Sequence, residues 1–196
     1  MITELIRPAP LDMPLKQIVY ETFEWDELSA NNDGFDSVSM SVSFVFEQAE
    51  PFTLSWRMWE PFECLTTLEM WQGSERDPFT RAWRELVVTA QPNNLSQSGE
   101  ASIQHEFKDV SRKWANMLGA RITGQYLAMG ETGWGAIQPW SCRLEFDNGR
   151  SIVVCLGEIL ENGAPSYLPD SLLVTGSREK AMAYRPPGAR ASAWAE

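Results

Sequence analysis

The chain has 196 residues, of which 27 are acidic and 16 basic, and its formal net charge is −11. Apolar residues make up 43 % and charged residues 22 %, which is typical of a globular protein with a sizeable core. The excess of acid excludes nucleic acid and anionic membrane as natural partners, because binding phosphate requires clustered lysine and arginine. A basic protein is the better complement, although acidity that serves only solubility remains the alternative.

Targeting and cysteine patterns indicate a cytoplasmic protein. Residues 1–8 lack a basic stretch followed by a long apolar run, so we expect no signal peptide. The apolar run 152–156 is as long as a strand and far too short to span a membrane. Three cysteines without CxxC spacing indicate neither a disulfide framework nor a zinc site.

Two alternating segments predict a first β-hairpin. Between residues 38 and 46, apolar residues alternate with serines, which predicts one half-buried strand with an apolar face and a hydroxyl face. After the break at 48–51, the alternation resumes with Phe52, Leu54, Trp56 and Met58. We therefore expect an antiparallel pair.

Three short helices and a linker are also predicted. Residues 77–86 begin with an Asp-Pro pair suited to a helix start, and residues 177–184 end before two prolines. Residues 109–118 end at a glycine, and the expected buried face carries Trp114, Met117 and Leu118. The polar segment 91–100 is the predicted linker. We expect the tail from 188 to 196 to fray.

A second hairpin is predicted around Asn148-Gly149, a strong signal for a two-residue turn. Such a turn joins strands at 140–146 and 151–156 and places Cys142 opposite Cys155. A cross-strand disulfide or thiol switch is then possible, and two small buried thiols are the alternative.

The second half of the chain repeats features of the first at offsets of 104, 100, 103 and 101 residues. The matched positions are Ile18 with Ile122, Phe44 with Leu144, Gly73 with Gly176, and Ala82 with Ala183. We therefore predict an α+β, β-dominated fold of two tandem related repeats, at 1–95 and 101–190. The repeats are expected to pack into one unit about a pseudo-two-fold axis.

Chemistry-bearing motifs are scarce. His105 is the single histidine, and no GxSxG, HExxH, Walker or GxGxxG pattern accompanies it. No calcium-loop pattern is present either. We therefore predict a protein that is not an enzyme and that needs no cofactor or metal; an enzyme with paired carboxylates and a structural subunit remain alternatives.

Acidic and tryptophan residues of the first half supply the predicted partner-binding surface. Carboxylates favour a basic partner, and tryptophans are common interface anchors. The candidate residues are Asp26, Glu27, Asp33, Asp36, Trp59, Glu60, Glu63 and Trp71. A solvated acidic face is the alternative reading of the charge. An alternative function is a carbohydrate- or small-ligand-binding module that uses Trp25, Trp59, Trp71 or Trp134.

Residues 110–122, residues 144–154, and residues 170–174 with 181–184 resemble small bacterial proteins of toxin–immunity loci. The shared features are turns, strand edges and helix packing, and they carry no functional residues to transfer. The resemblance implies a cytosolic immunity protein that binds a secreted toxin domain and occludes its active site.

Overall fold

The computed structural model describes residues 8–23, 28, 34–59, 62–72, 106–131, 137–168, 170–187, 189 and 191–194. Within these residues the chain forms twelve strands and one short helix. The strands are β1 Leu15–Thr22, β2 Asp36–Val38, β3 Ser41–Phe46, β4 Phe52–Trp59, β5 Phe62–Gln72, β6 Glu106–Asp109, β7 Ile122–Glu131, β8 Ile137–Phe146, β9 Ser151–Leu156, β10 Glu158–Ile159, β11 Pro165–Ser166 and β12 Leu172–Thr175. The helix, α1, spans Arg178–Ala183.

The strands form two five-stranded antiparallel sheets and a small hairpin. The first sheet has the order β5-β4-β3-β1-β6, the second has the order β2-β12-β9-β8-β7, and β10 pairs with β11. Buried residues from both large sheets belong to one hydrophobic core. The predicted β-dominated class is confirmed.

Each sheet takes one strand from the other half of the chain. β2, at residues 36–38, pairs with β12 in the second sheet, whereas β6, at 106–109, pairs with β1 in the first. The remaining four strands of each sheet lie side by side in chain order. β6 borders β1, the first of the four chain-order strands in its sheet, whereas β2 borders β12, the last of the four in the other sheet. The two sheets are therefore not built in the same way, and the tandem duplication stays a prediction.

The first predicted hairpin is confirmed, with Val42 opposite Leu54. The single strand expected over 38–46 is wrong, because the chain bends at Ser39 and Met40 and enters the second sheet before them. The strand is also more buried than the expected half-buried one, since all six residues of β3 are buried. Ser43 is 2 % exposed, and its Oγ lies 2.8 Å from Thr53 Oγ1, so the buried Ser43 hydroxyl has a hydrogen-bond partner.

The second hairpin is also confirmed, but its register differs by one residue from the prediction. Glu145 pairs with Ser151, and Phe146 N–H donates to the Arg150 carbonyl, which leaves a three-residue loop at 147–149. Gly149 in this loop has a φ of +76°. Cys142 is therefore opposite Val154, and Cys155 is opposite Ser141. A one-residue shift turns a side chain to the other face of a sheet. The two cysteines lie on opposite faces, so the expected cross-strand contact is wrong. Both are free and buried, which confirms the alternative of two small buried thiols.

The helix prediction over 109–118 is wrong. Residues 111–119 form successive turns, with bonds such as Met117 N–H to Trp114 O at 2.8 Å, and no regular helix develops. Trp114 and Met117 are buried as expected, but Leu118 is 38 % exposed. The segment closes onto β1, where Gly119 N–H donates to the Leu15 carbonyl at 2.7 Å.

The helix prediction near the C-terminus is confirmed. Ser177 is the N-cap of α1, and its hydroxyl accepts a hydrogen bond from Lys180 N–H at 3.3 Å. The predicted helix over 77–86 and the predicted linker over 91–100 lie outside the described residues.

The expectation of a frayed tail is wrong for its described residues, 189 and 191–194. Ala193 is 2 % exposed, and Ser141 Oγ donates to its carbonyl at 3.5 Å. Ala189 forms a bridge with Gly130 of β7. The tail therefore packs on the second sheet.

Candidate functional site

Asp36 is the predicted partner-binding residue whose surroundings are most fully described, and it lies in the core. Its side chain is 0 % exposed and forms an ion pair with Lys113, whose side chain is 12 % exposed. Tyr20 donates to Asp36 Oδ2 at 3.1 Å, and Trp114 Nε1 donates to the Tyr20 oxygen at 2.9 Å. Burial, and then the charge of Asp36, raise the pKa of Tyr20 well above its ordinary value. This network links β2, β1 and the 111–119 turns, so Asp36 does not form part of an exposed acidic surface.

The other predicted residues divide between strand positions and undescribed segments. Asp26, Glu27, Asp33 and Glu60 lie outside the described residues, as do the alternative sugar-binding residues Trp25 and Trp134. Trp59 ends β4 opposite Phe62, and Glu63 follows on β5. Trp71 pairs with Thr53 near the other end of β5. Nine residues of strand separate Phe62 from Trp71, roughly 30 Å, so the two tryptophans do not converge.

The β4–β5 pair continues past the rest of the first sheet. The last pair between β4 and β3 is Ser55 with Ser41, but β4 runs on to Trp59 and pairs there with β5 alone. This two-stranded ribbon is roughly 14 Å long, at about 3.4 Å per residue. β5 also approaches β8 and β9 of the second sheet. Trp59 and Glu63 therefore lie together at the turn end of the ribbon.

The charge of the chain is concentrated in its first half. Residues 1–95 contain 16 acidic and 6 basic side chains, a net charge of −10, and residues 96–196 contain 11 and 10, a net charge of −1. The first half supplies β1, β3, β4 and β5, four of the five strands of the first sheet. The exposed acids Glu47 and Glu50 follow β3 at the end of this sheet opposite the ribbon. The acidic excess is therefore a property of the first half of the sequence, and nine of its sixteen acidic residues lie outside the described residues.

A shallow groove of about 260 Å³ lies where three separate segments meet. Phe35 precedes β2, Ile159 and Pro165 belong to the β10–β11 hairpin, and Lys180 lies on α1. Its remaining lining residues are Leu28, Gly34 and Gly163. The sequence carries no signal for this groove, because its lining residues come from distant segments and share no local pattern.

Tyr184 fixes the elements around this groove. Its ring packs edge-on against Phe35, with centroids 5.9 Å apart, and its hydroxyl donates to the Leu156 carbonyl at 2.7 Å. The backbone at Gly157 has a φ of +154° and approaches so closely that an added Cβ would lie 2.5 Å from the Tyr184 oxygen. Burial raises the pKa of Tyr184 far above its ordinary value, so the hydroxyl stays protonated and available as a donor. The walls that Phe35 and the β10–β11 hairpin form are therefore preformed.

A buried arginine holds the C-terminal segment on the outer face of the second sheet. Arg143 is 2 % exposed, and its Cζ lies 4.3 Å from the ring centroid of Tyr126 and 4.7 Å from that of Trp194. Nη1 donates to the Trp194 carbonyl at 2.8 Å. Nε lies 3.3 Å from Glu145 Oε1 but is not aligned for a hydrogen bond. Two rings and a backbone carbonyl therefore surround the guanidinium.

The tryptophans whose side chains are described have structural contacts. Trp114 is 1 % exposed and Trp140 4 % exposed, Trp56 donates to the Ser39 carbonyl at 2.6 Å, and Trp194 covers Arg143. None of these four forms an open ring platform of the kind that binds sugars.

Among the described residues no group of three or more His, Cys, Asp or Glu side chains could hold a metal ion, and no helix is long and apolar enough to cross a membrane. His105 lies outside these residues. No protein-family model, curated protein or solved structure matches the chain. Function is therefore inferred from the residues themselves.

Proposed function

We propose that this protein is a non-enzymatic binding protein that neutralises a basic toxin domain by covering its active site. The observation that carries the proposal is the separation of charge, −10 in residues 1–95 against −1 in residues 96–196. Charge gathered on one part of a protein steers a partner of opposite sign and favours one docking orientation. A surface that served only solubility would not require this separation.

The β4–β5 ribbon is the proposed docking element. It brings Trp59 and Glu63 to one end of the first sheet, and Glu60 lies between them in the sequence. Tryptophan anchors surrounded by charged residues are typical of protein interfaces. Acidic side chains at the rim would accelerate the encounter with a lysine- and arginine-rich partner. Trp71 is too far along β5 to belong to the same contact.

Coexpression with the toxin domain encoded by the adjacent gene tests the proposal. A stable complex should copurify, and its dissociation constant should rise steeply between about 50 mM and about 500 mM salt, because salt screens the charges that bring the partners together. Cells that produce both proteins should survive where toxin alone is lethal. A chain that gives no complex at either salt concentration and no protection defeats the proposal.

A pair of charge reversals locates the surface. Glu60→Lys with Glu63→Lys should slow association roughly tenfold, since rim charges act mainly on the association rate. The matched control is Glu158→Lys with Glu161→Lys, which makes the same change of charge on the near-neutral half. Equal slowing by both pairs would mean that net charge alone acts and that the ribbon is not the docking element.

A further inference from the structure

We propose that the groove between β2, the β10–β11 hairpin and α1 binds a small amphipathic anion, with roughly ten non-hydrogen atoms in all, that carries one carboxylate on an apolar body. The site is separate from the β4–β5 ribbon and would operate whether or not the chain binds a toxin. Three properties of the groove specify the ligand, namely its size and lining, its single cation and its rigidity.

Size and lining specify the apolar body. The volume of about 260 Å³ holds roughly nine or ten non-hydrogen atoms, at about 30 Å³ each. Leu28, Phe35, Ile159 and Pro165 give it apolar walls, and the glycines at 34 and 163 leave room beside them. An alkyl or aryl group would therefore displace water from most of the surface.

Lys180 specifies the charge. It is exposed and reaches the groove from α1, and none of the ion pairs among the described residues involves its ammonium group. The described lysines at 108 and 113 each have a carboxylate partner instead. Lys16 is also exposed and takes part in none of these ion pairs, so what distinguishes Lys180 is its place in the lining of the groove. A carboxylate on the ligand would supply the missing partner, with the alkyl body directed into the groove.

The walls formed by the β10–β11 hairpin and by Phe35 are held in place before any ligand arrives. At the hairpin tip, Gly163 N–H donates to the Leu160 carbonyl at 2.7 Å, and Ala164 N–H donates to Asn162 Oδ1 at 3.0 Å. On the opposite side, Tyr184 packs against Phe35 and also bonds the backbone that leads into the hairpin. A preformed site loses little conformational entropy on binding, so a small ligand can bind measurably.

Titration with octanoate, followed by the backbone amide resonances of Gly34 and Gly163, tests the site. Both resonances should move and saturate with a dissociation constant of roughly 1 mM or tighter. Octanamide, which has the same shape without the charge, should bind roughly tenfold more weakly. No saturable movement of either resonance up to about 20 mM octanoate overturns the proposal.

Lys180→Gln and Lys16→Gln make a matched pair of exposed lysine variants. Lys180→Gln should weaken octanoate binding roughly tenfold and leave octanamide binding unchanged, whereas Lys16→Gln should change neither. Equal affinity of the wild-type protein for the two probes, or equal effects of the two variants, would refute a charge-specific site. Because no toxin is present in this experiment, its outcome is independent of the proposed function.

Discussion

Replacing Lys113 with methionine tests whether a buried ion pair holds the two sheets together. Lys113 comes from the turns after β6, and its partner Asp36 is on β2 of the second sheet. Tyr20, on β1 of the first sheet, donates to the same carboxylate. Methionine keeps most of the length and apolar packing of the lysine stem but removes the charge.

The expected loss of stability is large. Two unit charges about 4 Å apart interact by about 4 kcal/mol at an effective dielectric constant of 20. Removing one member of a buried pair typically costs about 3–5 kcal/mol, because the other charge stays buried. The side chains of Asp36 and Lys113 are 0 % and 12 % exposed, so solvent relieves little of this. Since whole domains are stable by about 5–15 kcal/mol, Lys113→Met should remove a large fraction of the total.

Urea unfolding monitored by tryptophan fluorescence measures the change, and amide hydrogen exchange locates it. β2 should exchange faster in Lys113→Met, because the pair fixes this three-residue strand beside β12. Lys108→Met is the matched control: Lys108 Nζ lies 3.3 Å from Glu106 Oε2, and these side chains are 27 % and 57 % exposed. An ion pair with this much solvent exposure contributes less than about 1 kcal/mol to the free energy of unfolding.

Two outcomes would refute the reasoning. One is a loss below about 1 kcal/mol in Lys113→Met, or a loss no larger than that of the Lys108 control. The other comes from the double variant Asp36→Asn with Lys113→Met, which removes both charges but keeps an oxygen for Tyr20. This variant should recover at least half of the lost stability, so a double variant as unstable as the sum of the single changes contradicts the charge argument.

Three other buried contacts or residues lead to predictions for single positions in the chain. Gly157→Ala should lower the free energy of unfolding by at least about 2 kcal/mol in urea, because its Cβ would meet a tyrosine oxygen at 2.5 Å. Burial raises the pKa of Cys142 to about 12 and that of Cys155 further, so both thiols should resist iodoacetamide in the folded protein, as judged by intact mass, and react once it unfolds. Trp194→Ala should remove about 1–2 kcal/mol, since Arg143 loses one of its two stacked rings, and limited proteolysis should then cut the C-terminal segment.

Each of these has a control on the same chain. Gly149→Ala places a side chain at positive φ in open space, so equal losses at the two glycines would deny a steric role to Tyr184. The thiol measurement uses a Cys64→Ser background, and equal labelling of folded and unfolded protein would contradict burial. Trp194→Phe retains an aromatic ring, and a loss as large as that of the alanine variant would argue against stacking on Arg143.

Local hairpins were predictable, but their partners and registers were not. Alternation identified the strand ending at Phe46 and the one beginning at Phe52, because side-chain period and turn residues are local properties. The same alternation ran unbroken through Ser39 and concealed the bend that sends Val38 into the second sheet. Sheet membership depends on packing between distant segments, which no short window contains.

One residue in a turn changed the face on which two cysteines lie. Asn148-Gly149 fits a two-residue turn in which both central residues take positive φ. In the structure Gly149 has a φ of +76°, and the single described residue other than glycine with positive φ is Asp12. The loop is therefore longer by one, and the expected Cys142–Cys155 contact is lost. Turn type has to be known before cross-strand pairs can be predicted.

The candidate site shows the same limit. The acidic bias was visible in the composition, but Asp36, one of its members, is the buried partner of Lys113. Asp36 and Lys113 are 77 residues apart in the sequence, and no local pattern connects them. The groove was equally invisible, since Phe35 and Lys180 are brought together by the fold alone.

The exchange of β2 and β6 between the sheets makes the two halves of the chain obligate partners. A fragment ending near residue 95 would lack β6, which covers one edge of β1. A fragment beginning there would lack β2, which covers one edge of β12. Each fragment would expose a sheet edge that the other fragment is built to cover. The two fragments should therefore behave like the halves of a split protein. Neither should fold stably alone, and each should fold when the two are mixed.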